Sequence, residues 1–317
     1  MDIVYSDRYQ VDIGAHVFHM GKYTRVRDGL LARGLAGPSS FVEPSPAGWD
    51  ELALVHTREY LDKTRSGGFR ASELALLELP WSTSVAEGFR LMAGGTIAAA
   101  RLAVEAGARL AQDPGAAAPG ARGLAASANL GGGFHHAFPS HGEGFCLYND
   151  VAVAIRVLQR DGMIRRAAVV DADVHQGNGT AFIFDGDPSV FTFSIHAASA
   201  FPLRKEASSL DLALADRTGD EHYLAALATG LERALAAAGA DLVLYVAGVD
   251  PYVGDQTGRL SLSRDGLARR DHLVLEACRR RSLPVAVTMA GGYSPRPAEV
   301  AELHLQTVVV AASLDGG

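Results

Sequence analysis

Asp171, Asp173 and His175 occupy alternate positions in Ala167-Ala168-Val169-Val170-Asp171-Ala172-Asp173-Val174-His175, where an apolar run turns abruptly polar. Side chains alternate faces along an extended chain, so all three would line one side if extension persists. Two carboxylates and an imidazole suit a borderline divalent cation, Zn²⁺ first among them. Taken singly, Asp171 reads as a loop carboxylate and His175 as a cap; together, beside Gly177-Asn178-Gly179, they favour a metal. Asp250, directly after Leu242-Val243-Leu244-Tyr245-Val246 and a short glycine turn, is the best candidate for a further ligand. Asp173, His175 and Asp250 would leave a coordination position open, as catalytic rather than structural sites do. A cation held that way lowers the pKa of water to about 7 and polarises a carbonyl. The adjacent His135-His136 pair can carry protons from water to a leaving amine. Such a ring needs a partner on its second nitrogen, and Asp171 and Asn178 are available. Tyr293, on a Gly-Gly turn, can donate to a developing oxyanion. These parts describe metal-assisted hydrolysis of an amide, and the residues alone do not name the amide.

The elements that must position these groups are short apolar runs breaking into glycine-rich or polar loops. Leu124–Leu130 runs into Gly131-Gly132-Gly133-Phe134-His135-His136, and Val190–Ile195 ends at His196. Asp241–Val246 leads to Asp250, and Pro284–Met289 to Gly291-Gly292-Tyr293. Helical patterns lie between them near Asp150–Gln159, Glu221–Ala238 and Arg264–Arg281. This alternation predicts an α/β fold, a parallel sheet with helices on both faces. Ligands bind at the carboxyl ends of such strands, where Asp171, Asp173, His175, His135, His136, Asp250 and Tyr293 would gather.

Upstream, Ile3–Tyr5 reads as a strand and the stretch near Thr24–Arg33 as an amphipathic helix. Pro38–Pro46 reads as a loop and Thr83–Ala111 as one long helix interrupted by Gly94-Gly95, which would admit close helix packing. Gln112–Gly123, rich in Ala, Gly and Pro, reads as a surface loop. His16 and His19 lack a neighbouring carboxylate or cysteine and read as structural or pocket-rim groups; His56 reads as capping or packed.

The 317 residues carry 48% hydrophobic and 21% charged side chains and a net charge of −7, the balance of a globular protein with ample core. No linker divides the chain, so residues 1–317 are expected to form one domain. Arginine groups such as Arg269-Arg270 fall on helical patterns, where a solvated face is the ordinary reading. Nothing has the basic footprint of a nucleic-acid binder. Cys146 and Cys278 give no disulfide framework, and the amino terminus lacks a signal-peptide pattern, so a soluble protein of the reducing cytoplasm is expected. No apolar run is long enough to span a bilayer.

Gly131-Gly132-Gly133-Phe134-His135-His136-Ala137, Gly144-Phe145-Cys146-Leu147-Tyr148-Asn149-Asp150, Asp171 to Gly179, Ala247-Gly248-Val249-Asp250 and Gly291-Gly292-Tyr293 together resemble the zinc-dependent histone deacetylases, in the same order and over nearly the whole chain. The resemblance implies the arginase-deacetylase fold, a three-layer α/β/α sandwich with a mainly parallel sheet of about eight strands. It implies Asp173, His175 and Asp250 as zinc ligands, His136 as general base and acid, His135 as its electrostatic partner, and Asp171 behind His135. Tyr293 would polarise the scissile carbonyl. Gly144 and Phe145 would lie on one wall of an acyl-lysine tunnel, with Phe201 opposite. Asp171, Asp173, His175 and Ser194 would form an inner K⁺ site.

Where many relatives read His-His-Gly-Asp-Gly, this chain has His175-Gln176-Gly177-Asn178-Gly179, so the partner behind His136 is the neutral Asn178. That variant, with Gly94-Gly95-Thr96, resembles the class IV branch and its bacterial relatives, which implies removal of long fatty acyl groups as well as acetyl. Acyl length and the acylated protein stay open. The expected substrate is an acyl-lysine peptide or protein; the alternatives are a small acylated amine such as an acetylpolyamine, and a non-catalytic acyl-lysine-binding module. Fe²⁺ suits the same ligands as Zn²⁺.

Overall fold

The apolar runs become strands because both of their faces are covered. In the computed structural model, which describes residues 1–112 and 123–315, strands β3 (Ala126–Asn129), β4 (Ala167–Asp171), β7 (Leu242–Val246) and β8 (Val285–Thr288) are buried at every position. With β1 (Asp2–Val4), β2 (Phe41–Val42), β5 (Val190–Ala197) and β6 (Leu210–Leu214) they form one eight-stranded sheet, ordered β2-β1-β3-β8-β7-β4-β5-β6. Every pairing is parallel; β4 runs beside β7 with Asp171 opposite Val246, and beside β5 with Asp171 opposite Ser194. The surface-loop segment read at Gln112–Gly123 lies, apart from its two ends, outside the described residues.

Ten helices complete the chain: α1 (Lys22–Ala32), α2 (Trp49–Leu52), α3 (Arg58–Ser66), α4 (Ala71–Leu77), α5 (Thr83–Gln112), α6 (Asp150–Arg160), α7 (Asn178–Ile183), α8 (Asp220–Ala238), α9 (Arg264–Arg280) and α10 (Pro297–Asp315) among the described residues. Strand alternation divides the core in two. Ala167, Val169, Leu242, Leu244 and Ala286 face α5 and α6, whereas Ala168, Val170, Val243, Tyr245 and Val287 face α8 and α9. Burying each such Val or Leu contributes about 1.5–3 kcal/mol, so both layers are held by the sheet they cover. The three-layer sandwich is the architecture expected.

Four details differ from the sequence reading. Pro38–Pro46 contains the two-residue strand β2, which finds its partner on β1. β6 is only half-buried and α10 has apolar residues feeding both cores, so neither shows a clean period. α5 continues unbroken through Gly94-Gly95. The close approach there is to a loop, to the 3-10 turn that ends at Tyr9 and to β3 rather than to another α-helix: a Cβ on Gly94 would lie 1.9 Å from the Ser45 carbonyl oxygen, and one on Gly95 2.0 Å from the Tyr9 hydroxyl and 2.8 Å from Asn129 Oδ1.

Candidate active site

Because all eight strands are parallel, their carboxyl ends share one rim. β4 ends at Asp171, so extension does not persist; the chain then turns, and Asp171 Oδ1 accepts from the Asp173 amide at 3.1 Å. Asp173 and His175 nevertheless come together, with His175 Nδ1 3.0 Å from Asp173 Oδ1 and 3.2 Å from Asp250 Oδ2. Asp250 reaches the site from the end of β7, where its Oδ1 accepts from the Val174 amide at 2.9 Å.

Asp173, His175 and Asp250 are buried, and one ligand atom from each lies within 4.8 Å of the others. This donor set fits a divalent cation on two further observations. Asp250 Oδ2 is buried and, beyond the 3.2 Å approach of His175 Nδ1, has no hydrogen-bond partner among the described residues, an arrangement that is costly unless a ligand completes it. The opposite wall is glycine: a Cβ on Gly291 would stand 2.0 Å from Asp250 Oδ2 and 2.5 Å from Asp173 Oδ2. Burial disfavours a charged His175 ring, but Asp173 and Asp250 outweigh that and push its pKa up to about 10. Burial and the neighbouring Asp173 push Asp250 up to about 7.

His135 and His136 follow β3 and are braced through their backbone. Asp150, at the start of α6, accepts from the Gly133 and Phe134 amides at 2.9 and 2.7 Å. The Thr180 amide donates to the His135 carbonyl at 3.0 Å, and Asn149 Nδ2 to that of Ala137 at 3.1 Å. Gly179 passes so near that a Cβ there would lie 2.6 Å from the His136 carbonyl carbon. His135 Nδ1 sits 2.6 Å from Asp171 Oδ2, the two Nε2 atoms are 3.1 Å apart, and His136 Nδ1 sits 2.6 Å from Asn178 Oδ1. Burial opposes charge on His135, yet Asp171 and Asp173 push it up to about 9. Burial and the charges of His135 and His175 hold His136 well below the ordinary histidine value. The pair is therefore polarised, with one ring cationic and its neighbour a neutral base at pH 7.

Tyr293 is fixed by its backbone: its amide donates to Asp255 Oδ2 at 2.6 Å, and Gln256 Nε2 to its carbonyl at 2.7 Å. Burial, followed by the charges of Asp173 and Asp250, keeps its hydroxyl protonated, a donor. His136, His175, Tyr293, Gly144, Phe145 and Phe201 line one cleft of about 330 Å³, with Glu78, Leu203 and Arg259 toward solvent. The Phe201 ring lies 5.0 Å from that of His136, and Phe145 lies 5.7 Å from Tyr293. His16 is a rim group, edge-on to Phe145 at 4.7 Å, and His56 is buried between the Phe138 carbonyl and the Asn149 amide. A wider surface depression of about 460 Å³ behind His16 and Phe18, edged by His19 and Arg25, contains none of the metal-binding cluster. Ser194 lies in register with Asp171, and its hydroxyl bonds the His196 ring at 3.0 Å.

Three of the buried charges that escaped the sequence reading bear on the site. Lys22 is fully buried and donates to the Ala290 carbonyl at 2.5 Å. Glu143 accepts from Asn178 Nδ2 at 3.0 Å. Arg270 does not lie on a solvated face: it is fully buried and donates to the carbonyls of Ala172 and Gly248, one and two residues before the acidic ligands. The helical period carried a signal for it: Arg270 is spaced three residues from Leu267 and four from Val274 on the buried face of α9, whereas exposed Arg269, whose partner is Glu221, lies off that face.

A model of the histone deacetylase domain matches residues 16–309. An uncharacterised protein of the cyanobacterium Picosynechococcus is 41% identical over 293 residues, covering 92% of each chain. Histone deacetylase 2 of Arabidopsis thaliana is 30% identical over 313 residues, 95% of this chain and 76% of its own. Among solved structures, the HD domain of HDA15 has a TM-score of 0.75 at 23% identity, covering 100% of this chain and 92% of that one. An HDAC homolog from Aquifex aeolicus has a TM-score of 0.76 at 22% identity, covering 98% and 83%. These two carry the fold. With its buried Asp173–His175–Asp250 cluster at the strand ends, the chain belongs to the histone deacetylase domain family and is a deacetylase-like hydrolase of that family.

Proposed function

We propose that the protein is a zinc-dependent lysine deacylase acting on peptides or proteins. The observation that carries this reading is the buried cluster of Asp173, His175 and Asp250, with Asp250 Oδ2 left without a hydrogen bond of good geometry, at the foot of a cleft flanked by His136 and Tyr293. A divalent cation held by these three residues supplies Lewis acidity, polarising a carbonyl and making water a better nucleophile.

The chain's own groups do the rest. Phe145 and Phe201 enclose the methylenes of the acyl-lysine, and Gly144 leaves room between them, since a Cβ there would lie 2.9 Å from both Phe201 and His136. Tyr293 donates to the carbonyl oxygen as negative charge grows on it. His136 Nε2 takes a proton from water and returns it to the departing lysine nitrogen. His135, kept cationic by Asp171, places positive charge beside that transfer. His175 and the two aspartates act as ligands, and Asp171, Asp173, His175 and Ser194 would hold K⁺ at the inner end of the site. Residues 1–317 act as one catalytic unit around one sheet.

Class IV membership, with long fatty acyl groups among the substrates, is the finer reading; it rests on His175-Gln176-Gly177-Asn178-Gly179 and Gly94-Gly95-Thr96. Among the described residues no helix is long and apolar enough to cross a membrane, and both cysteines are free and buried; a cytoplasmic setting is part of the same proposal. A second reading, deacetylation of a small polyamine, is favoured by the exposed carboxylate of Glu78 at the cleft and opposed by Arg259.

The test is a panel of lysine peptides with acyl chains of increasing length, run beside acetylpolyamines, with and without chelator. Chelator-sensitive release from the peptides is expected. Polyamine-only turnover would move the proposal to the second reading, and no turnover of any amide by metal-loaded protein would sink both.

A further inference from the structure

Glu143, Gly144, Phe145 and Cys146 form a tight turn in which both central residues have positive φ, +53° and +66°. The Glu143 amide donates to the Cys146 carbonyl at 3.2 Å and the Cys146 amide returns a bond to Glu143 at 2.9 Å. Mirror-image turns of this kind hold their ends in one geometry. Glu143 is thereby aimed inward at Asn178, while its Oε2 stands 3.5 Å from Nε2 of the partly exposed His141.

We propose that Glu143 is a positioning residue that sets which way the Asn178 amide faces, and through it which nitrogen of His136 carries the proton. The inference rests on the reading of His136 as the base. A side-chain amide is a donor at one end and an acceptor at the other, whereas a carboxylate only accepts. Glu143 Oε1 at 3.0 Å therefore demands the NH₂ group of Asn178 and leaves Oδ1 facing His136 at 2.6 Å. An acceptor there demands a proton on Nδ1, so in the neutral ring Nε2 is the unprotonated nitrogen, an acceptor that also suits the cationic His135 ring 3.1 Å away. A turned amide would offer N–H to Nδ1 and place the proton on Nε2, where it blocks base catalysis. An aspartate at 178 would need no such help, being an acceptor whichever way it turns. Where the resemblance leads one to expect that carboxylate, this chain supplies an amide and a second residue to orient it.

Two measurements test this. In metal-free protein with ¹⁵N-labelled histidine, neutral His136 is expected to show the Nδ1–H form; Glu143→Leu should shift signal toward Nε2–H, and an unchanged tautomer would overturn the proposal. The second is a cycle of kcat values. Glu143→Leu in the native background leaves a buried N–H unpaired in the productive orientation, an expected loss of about tenfold in kcat with little change in KM. Asn178→Asp sets two carboxylates against each other, so adding Glu143→Gln is expected to raise kcat in that background. The sign of the effect at 143 thus reverses with the residue at 178. Independent losses at the two positions would mean that Glu143 only supports the turn. Failure of the deacylase reading is separable: it would show as absent turnover in native metal-loaded protein, with the tautomer measurement still interpretable.

Discussion

The guanidinium of Arg270, in the middle of α9, donates to the carbonyl of Gly248, two residues before Asp250. It donates as well to Ala172, one residue before Asp173. A single buried cation thus ties together the two loops that bring the acidic ligands to the rim, and Asp271 balances its charge at 2.8 Å. Arg270→Met would strand the Asp271 carboxylate and two carbonyls. The expected loss is about 3–5 kcal/mol in denaturant unfolding, with weaker metal binding. Wild-type stability in that variant would show that the ligand loops stand without it.

Lys22 gives a test of opposite sign to an ordinary ion pair. Burial holds its pKa down to about 8, against the pull of Asp250, Asp173 and Asp255. Between about pH 8 and the ordinary lysine value the unfolded chain binds the proton and the folded chain does not, so stability should rise with pH across that window. The rise is expected in metal-free protein and should be missing from Lys22→Met. Parallel stability curves for the two proteins would contradict it.

His56 should act at the acid side. Burial holds its pKa down to about 4, with the Phe138 carbonyl opposing. Below the ordinary histidine value near 6.5 the unfolded chain takes up a proton first, so stability present at neutral pH is lost as pH falls toward 4. The size is about 3 kcal/mol. His56→Asn, able to donate and accept, should show a shallower decline between pH 7 and 5; an equal decline would remove His56 as the cause.

What could be read in the sequence was the set of polar residues that follow apolar runs, because a parallel sheet brings every strand exit to one rim. Asp173, His175, Asp250, His136 and Tyr293 were found that way. β6 was not, since a half-buried edge strand shows neither continuous nor alternating hydrophobicity. Lys22, Glu143 and Arg270 were not either, for a different reason. Lys22 is buried by a partner distant in the chain, the Ala290 carbonyl, whereas Arg270 shares the helical face of Leu267 and Val274, a spacing that composition alone hides.

Metal uptake should release a proton. In the metal-free chain the two carboxylates hold the His175 ring protonated at neutral pH, and a cation must displace that proton from Nδ1. Affinity is then expected to fall at least about tenfold for each unit of pH below neutrality, and more steeply where the Asp250 carboxyl also takes up a proton. A titration in weak buffer that releases no acid would contradict it.

The most direct test is to strip the protein with chelator, return Zn²⁺ in measured steps, and follow both bound metal and hydrolysis of an acetyl-lysine peptide. Turnover should vanish on stripping and recover in proportion to metal, saturating at one ion per chain, and Asp250→Ala should neither hold the ion nor recover. Full activity in stripped protein, or tight zinc binding by Asp250→Ala, would contradict the assignment.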